Sequence, residues 1–294
     1  MDTSMLQFLA APFVASLILA GIHTYLGVHV VERGVIFVDL SLAQIAALGS
    51  TVALLIPFSG GDPHGDSAYA ISVAFTLVGA LVFSTIRSKR ARIPQEAIIG
   101  ICYAVASAAT ILAMSKATSE GEHLKNMLVG NILAVSWAEV GKTAALYAVI
   151  GLFHYVFRHK FLAISLNPKK AAADGVSLWG WDFLFYASFG FVVTAAVQIA
   201  GVLLVFCYLI VPSVAAMLYS ERIGVRLAIG WTMGTIVSAL GVYLSLQLDL
   251  PTGATIVCTF ALVLIVMAIA RVFIPRGASV DIHQVDFSDR AHGA

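Results

Sequence analysis

Residues 6–31 read LQFLAAPFVASLILAGIHTYLGVHVV, an apolar run without a single Asp, Glu, Lys or Arg. A helix needs about 20 predominantly apolar residues to cross the hydrocarbon core of a bilayer. The run is too long for the apolar region of a secretory signal, and residues 1–4 before it contain no basic cluster. We therefore interpret residues 6–31 as a first membrane-spanning helix.

The composition of the whole chain also indicates a membrane protein. Of its 294 residues, 60% are hydrophobic and 11% are charged, and the mean hydropathy is +0.94. Soluble domains have about 25% charged residues, so this chain lacks the polar side chains to cover a water-soluble globule. A net charge of +1 without a basic cluster of the needed size argues against nucleic-acid binding.

Further apolar runs of spanning length follow the first. The candidate spans are 6–31, 35–56, 68–87, 95–115, 138–157, 181–199, 200–219, 226–246 and 254–273. The sixth and seventh runs meet near Gln198 with almost no connector, so eight spans are the alternative to nine. The sequence predicts an all-α, polytopic transmembrane helix bundle over residues 1–275, followed by a polar cytoplasmic tail over 276–294.

The basic residues predict the orientation of the bundle. An N-terminus outside the cell and a C-terminus in the cytoplasm place all but three of the 17 Lys and Arg residues inside, the exceptions being Lys116, Lys125 and Lys142. This agrees with the rule that cytoplasmic loops are enriched in Lys and Arg.

Polar side chains inside the spans are the candidate functional residues, because an ionisable group at membrane depth is costly. Asp39 and Gln44 lie in the second span, and His23 and His29 lie in the first. Carboxylate, amide and imidazole groups suit a transient site for a divalent transition metal. Other interpretations remain open: Asp39 pairs with Arg33 or caps the helix, the histidines are satisfied core residues, and Gln44 bonds to a neighbouring helix.

An outer loop offers Asp62, His64 and Asp66 at alternate positions, which is the pattern of a cation-attracting loop and equally of a polar turn. The sequence contains no metalloprotease, serine-hydrolase or P-loop motif. We therefore predict that the chain is not an enzyme and that any ATP hydrolysis takes place on another chain.

Several segments, in order, resemble the membrane permease subunits of ABC transporters for manganese, zinc or iron. They are 26–49, 96–101, 128–136, 167–176, 201–205 with 209–212, and 248–257. The resemblance implies import of a divalent metal as substrate across the bacterial plasma membrane, with no permanently bound cofactor. It also implies a homodimer or paired permease, cytoplasmic ATPase subunits and an external metal-binding protein. The segment that resembles the ATPase-coupling loop includes Pro168, Ala171, Ala172, Ala173 and Gly175.

The chain departs from this family at its metal ligands. The family usually has Asp and His where this chain has Leu40 and Gln44, and Asp39 lies one residue earlier, about 100° around a helix. His23 or His29 is the candidate for the missing imidazole. The alternative function is a secondary metal–proton transporter that works without an ATPase and uses Asp39 as its proton carrier.

Overall fold

The computed structural model describes residues 3–56, 65–88, 94–115, 130 and 132–273. In these ranges the chain is helical and contains no strand, which confirms the all-α prediction. The predicted tail over 276–294 lies outside the described residues. The elements are α1 (Thr3–Arg33), α2 (Val38–Leu55), α3 (Asp66–Ser88), α4 (Gln95–Met114), a 3₁₀ turn (Ile132–Ala134), α5 (Trp137–Val156), α6 (Arg158–Leu166), α7 (Pro168–Ala173), α8 (Leu178–Met217), α9 (Ile223–Leu248) and α10 (Thr252–Phe273).

Most of these helices have the length and composition of membrane spans. Within the described ranges, seven helices qualify on their own, namely α1, α2, α3, α4, α8, α9 and α10. The helices α5 and α6 are bent by 73° against each other and together make an eighth candidate. These numbers agree with a polytopic bundle of about eight or nine spans.

The 40-residue helix α8 folds back on itself at Gly201, where φ is 74° and ψ is 162°. A straight helix of this length measures about 60 Å. Both halves nevertheless meet the C-terminal part of α1: Asp182 pairs with Arg33, and the Ser213 hydroxyl oxygen lies 3.3 Å from the Thr24 carbonyl oxygen. The helix therefore consists of an ascending limb, 178–200, and a descending limb, 202–217.

The two limbs measure about 35 and 24 Å at 1.5 Å per residue, so the ascending limb has the full length of a membrane crossing and the descending limb is somewhat shorter than one. The sequence predicted two abutting spans near Gln198, and the structure places the break at Gly201. With the two limbs counted separately, and α5 and α6 counted as one bent span, the described helices give nine candidate crossings.

The two limbs of α8 form the centre of the bundle. They pack against α1, α2, α3, α9 and α10. Their aromatic side chains fill the core, and Phe185, Tyr186, Phe189 and Tyr208 are fully buried.

Basic residues gather at one end of the bundle, which we call the basic end. It is the end at which α1 and α10 terminate, α9 begins and α8 both begins and ends. Its described basic residues are Arg33, Arg158, Lys160, Lys169, Lys170, Arg222, Arg226 and Arg271. The opposite end carries Glu139, Lys142 and Asp249 among the described charged residues.

Candidate functional site

Asp39 occupies a fully buried position in the first turn of α2. Neither of its carboxylate oxygens has a hydrogen-bond partner among the described residues. The alternatives of pairing with Arg33 or capping the helix are therefore not seen, because the Arg33 guanidinium contacts Asp182. A buried, unpartnered carboxyl is costly, so this position favours a cation or a proton.

The one-residue offset from the family pattern places Asp39 inside the bundle. Asp39 is fully buried, whereas Leu40 is half-buried at its rim. The carboxyl therefore lies in the interior of the bundle, and Gln44 is buried on the same helix.

His23 is fully buried in α1. Its Nδ1 is 2.8 Å from the Leu19 carbonyl; because a carbonyl only accepts, Nδ1 carries the proton and Nε2 carries the lone pair. Nε2 is buried without a partner in the described part of the chain. The ring meets Tyr147 of α5 edge-on, with centroids 6.0 Å apart.

His29 lies in different surroundings at the basic end. Its Nδ1 is 2.8 Å from the Ser165 hydroxyl, and the oxygen of that hydroxyl accepts from Arg33 Nε at 2.9 Å. Because the Arg33 guanidinium contacts the same hydroxyl as the imidazole, it disfavours a metal cation on His29. The surroundings of His29 therefore differ from those of Asp39 and of His23.

Sequence reasoning missed His154, which is buried in the last turn of α5. Its Nε2 lies 2.8 Å from the Ser188 hydroxyl, and that hydroxyl donates its own proton to the Phe185 carbonyl. The imidazole therefore donates through Nε2, and its ring stacks on Phe161 at 4.3 Å. The rule that singled out Asp39 would have found His154, since it is an ionisable residue inside the predicted span 138–157.

These polar side chains do not assemble into a closed chelate. In the described ranges, no group of three or more His, Cys, Asp or Glu side chains is placed to hold one metal ion.

The segment predicted to couple to an ATPase forms the short helix α7 at the basic end. The Asn167 side chain caps it by accepting from the Lys170 amide at 3.0 Å, and Pro168 occupies the first turn, where a missing N–H costs little. Gly175 ends the helix in the left-handed region, with φ of 80°, and donates to the Ala172 carbonyl at 3.1 Å.

Helix α7 presents two lysines and two alanines to its surroundings. Ala171 is buried against the bundle, whereas Lys169, Lys170, Ala172 and Ala173 are exposed. The helix is thus anchored on one side and accessible on the other.

The predicted outer loop is only partly described. Asp62 and His64 lie outside the described residues, and Asp66 is the first residue of α3. The cation-attracting role of this loop stays a prediction.

Comparison with known proteins places the chain in a family. The sequence profile of the ABC 3 transport family matches residues 5–271. The chain is 26% identical over 251 residues to the manganese transport system membrane protein MntC of Halalkalibacterium halodurans, covering 85% of this chain and 83% of the relative. It is 29% identical over 195 residues to the chelated iron transport system membrane protein YfeC of Yersinia pestis, covering 66% of each. Its fold is similar to that of a chain of PsaBC from Streptococcus pneumoniae, solved in complex with a Fab, with a TM-score of 0.75, 23% identity and coverage of 90% and 93%. Because the profile spans nearly the whole chain, the protein belongs to the ABC 3 transport family.

Proposed function

We propose that this chain is the permease subunit of an ATP-driven importer of a divalent transition metal, namely manganese, iron or zinc, in the bacterial plasma membrane. The observation that carries the proposal is Asp39, a fully buried and unpartnered carboxyl inside a polytopic bundle. Membership of the ABC 3 transport family supports it, as do relatives named for manganese and chelated iron transport.

Asp39 is the primary metal contact in this proposal. Its negative charge stabilises a passing cation, and the buried Gln44 and the bare Nε2 of His23 offer further ligands. Oxygen and imidazole ligands together suit first-row divalent metals. An amide at position 44 brings no charge, so the site holds the ion weakly and releases it readily. His29, whose Ser165 partner also contacts the Arg33 guanidinium, is not a metal ligand in this proposal.

The basic end faces the cytoplasm in this proposal, because Lys and Arg are enriched on that side of membrane proteins. The N-terminus is then outside and α7 meets the ATPase subunits through its exposed Ala172 and Ala173. The opposite end, with the loop of Asp62, His64 and Asp66, receives metal from an external binding protein. Two permease chains, identical or related, complete the transporter, and the ATPase is a separate subunit.

A secondary metal–proton transporter is the second candidate function, and the same carboxyl favours it. An acid buried without a partner exchanges readily between its protonated and cation-bound forms. The two functions differ in their energy source, since only the first needs an ATPase.

Metal accumulation in cells tests the role of Asp39. We expect Asp39→Ala to abolish accumulation while the protein remains in the membrane, because the cation loses its only buried counter-charge at this position. Leu40→Ala, at the adjoining half-buried position, is the matched control and retains accumulation. Normal metal accumulation by Asp39→Ala would show that Asp39 is not needed for metal transport.

A further inference from the structure

A buried polar network joins α1, α6 and α8 at the basic end. Arg33 Nη1 donates to Asp182 Oδ1 at 2.6 Å, and the two side chains are 0% and 1% exposed. Arg33 Nε donates to the Ser165 hydroxyl at 2.9 Å, and that hydroxyl lies 2.8 Å from His29 Nδ1. The Phe185 ring covers the guanidinium, whose central carbon is 3.9 Å from the ring centroid.

Ser165 is the contact that connects the guanidinium to the imidazole. Its oxygen accepts from Arg33 Nε, which leaves its own proton available for His29 Nδ1 at 2.8 Å. A displacement of Ser165 therefore breaks a contact with Arg33, with His29 or with both.

The network also holds both ends of the segment that contains α7. Ser165 lies in α6, two residues before the Asn167 cap of α7, and Asp182 lies in the ascending limb of α8 after it. Arg33 contacts both residues. A displacement of α7 that carries the end of α6 or the start of α8 with it therefore disturbs this one arginine.

Stability alone does not account for the network. Removing two charges from water costs free energy that their attraction repays only in part, so an apolar replacement of a buried ion pair is often neutral or better. Because its partners come from three elements, the network is suited to transmit a displacement from one element to another.

We propose that Arg33 is a positioning residue that transmits the movement of α7 to His29 in α1, with Ser165 as the connecting contact. This inference rests on the proposed function, in which α7 meets an ATPase. In that setting the network links ATP hydrolysis to the polar interior of the permease.

The test measures metal uptake and ATP hydrolysis together, in vesicles that contain the permease with its ATPase and external binding protein. Ser165→Ala removes the connecting hydroxyl and leaves the Arg33–Asp182 pair in place. Arg33→Lys keeps the charge and loses the Nε donor, because an ammonium lacks the fork of a guanidinium. For both variants we expect hydrolysis to continue and the metal moved per ATP to fall about tenfold, a usual size for an energetic coupling between sites.

Arg226→Lys is the matched control. Arg226 pairs with Glu32, the neighbour of Arg33, but ties α1 to α9 rather than to the α7 segment. We expect its uptake per ATP to equal that of the parent. The inference is overturned if Ser165→Ala and Arg33→Lys keep the parent ratio, or if Arg226→Lys lowers it equally. Absence of nucleotide-dependent uptake in the parent overturns the proposed function, and the coupling role with it.

Discussion

Gly27 of α1 lies directly against the main-chain carbonyl of Leu209 in the descending limb of α8. A Cβ at position 27 would overlap that carbonyl and the Ser213 hydroxyl. Small residues permit such backbone contact between membrane helices. The contact holds the descending limb beside α1 and so supports the reversal of α8.

Gly27→Ala is expected to destabilise the bundle, because the new methyl group meets backbone that cannot rotate away. Overpacking of this kind costs about 1–3 kcal/mol. Thermal unfolding in mild detergent measures the effect. Gly21→Ala is the control on the same helix, since a Cβ there has no atom of the described residues within 4 Å. Equal unfolding temperatures for the two variants would show that the close contact does not hold the limb.

Gly201→Ala is expected to destabilise the reversal itself. With φ of 74° and ψ of 162°, position 201 lies in a backbone region that is essentially restricted to glycine, and another residue there costs about 1–3 kcal/mol. Gly224→Ala is the control, because Gly224 is helical and a Cβ there has open space among the described residues. A Gly201→Ala protein as stable as the parent would argue against the reversal at this residue.

Asp39→Leu is expected to raise the unfolding temperature in the absence of metal. A buried carboxyl without a partner costs the folded protein about 1–3 kcal/mol or more, and leucine removes that cost. We also expect added manganese to raise the unfolding temperature of the parent and not that of Asp39→Leu, because a ligand stabilises only the protein that binds it. Leu40→Ile should change neither quantity. A metal-induced rise that survives in Asp39→Leu would place the metal elsewhere.

Asn167→Ala is expected to weaken ATPase binding to the permease. The substitution removes the cap of α7, which is worth about 1 kcal/mol of helix stability, so the helix spends less time in its docking conformation. Co-purification of the ATPase measures the effect. Ser177→Ala is the control, since Ser177 holds the N-cap position of α8 but its side chain makes no capping bond to the described backbone. If Asn167→Ala recovers as much ATPase as the parent does, α7 is not part of the ATPase contact.

The spans were predictable from the sequence because the length of an apolar run is a local property. The same holds for α7, whose Asn167, Pro168 and Gly175 are residues that start and end helices. The break in α8 was also visible, since two spans without a connector must reverse within a few residues.

The candidate site was only partly predictable, since partners distant in sequence decide it. Asp39 was a candidate from its depth in the second span. The alternative that it pairs with Arg33 was wrong, because the Arg33 guanidinium forms its salt bridge with Asp182. Only packing shows that the His23 ring meets Tyr147 and that His29 and Arg33 contact the same Ser165 hydroxyl. The helix period of 3.6 residues does not decide from the sequence whether residue 39 or residue 40 points into the bundle. In the structure residue 39 is the fully buried one.

Metal uptake by purified protein in sealed vesicles tests the central claim most directly. The permease is reconstituted alone, and separately with its ATPase, external binding protein and ATP, and uptake of manganese is measured in each. We expect uptake only in the complete, nucleotide-supplied vesicles. Uptake by the permease alone, without nucleotide and driven by a proton gradient, would contradict an ATP-driven importer and favour the secondary transporter.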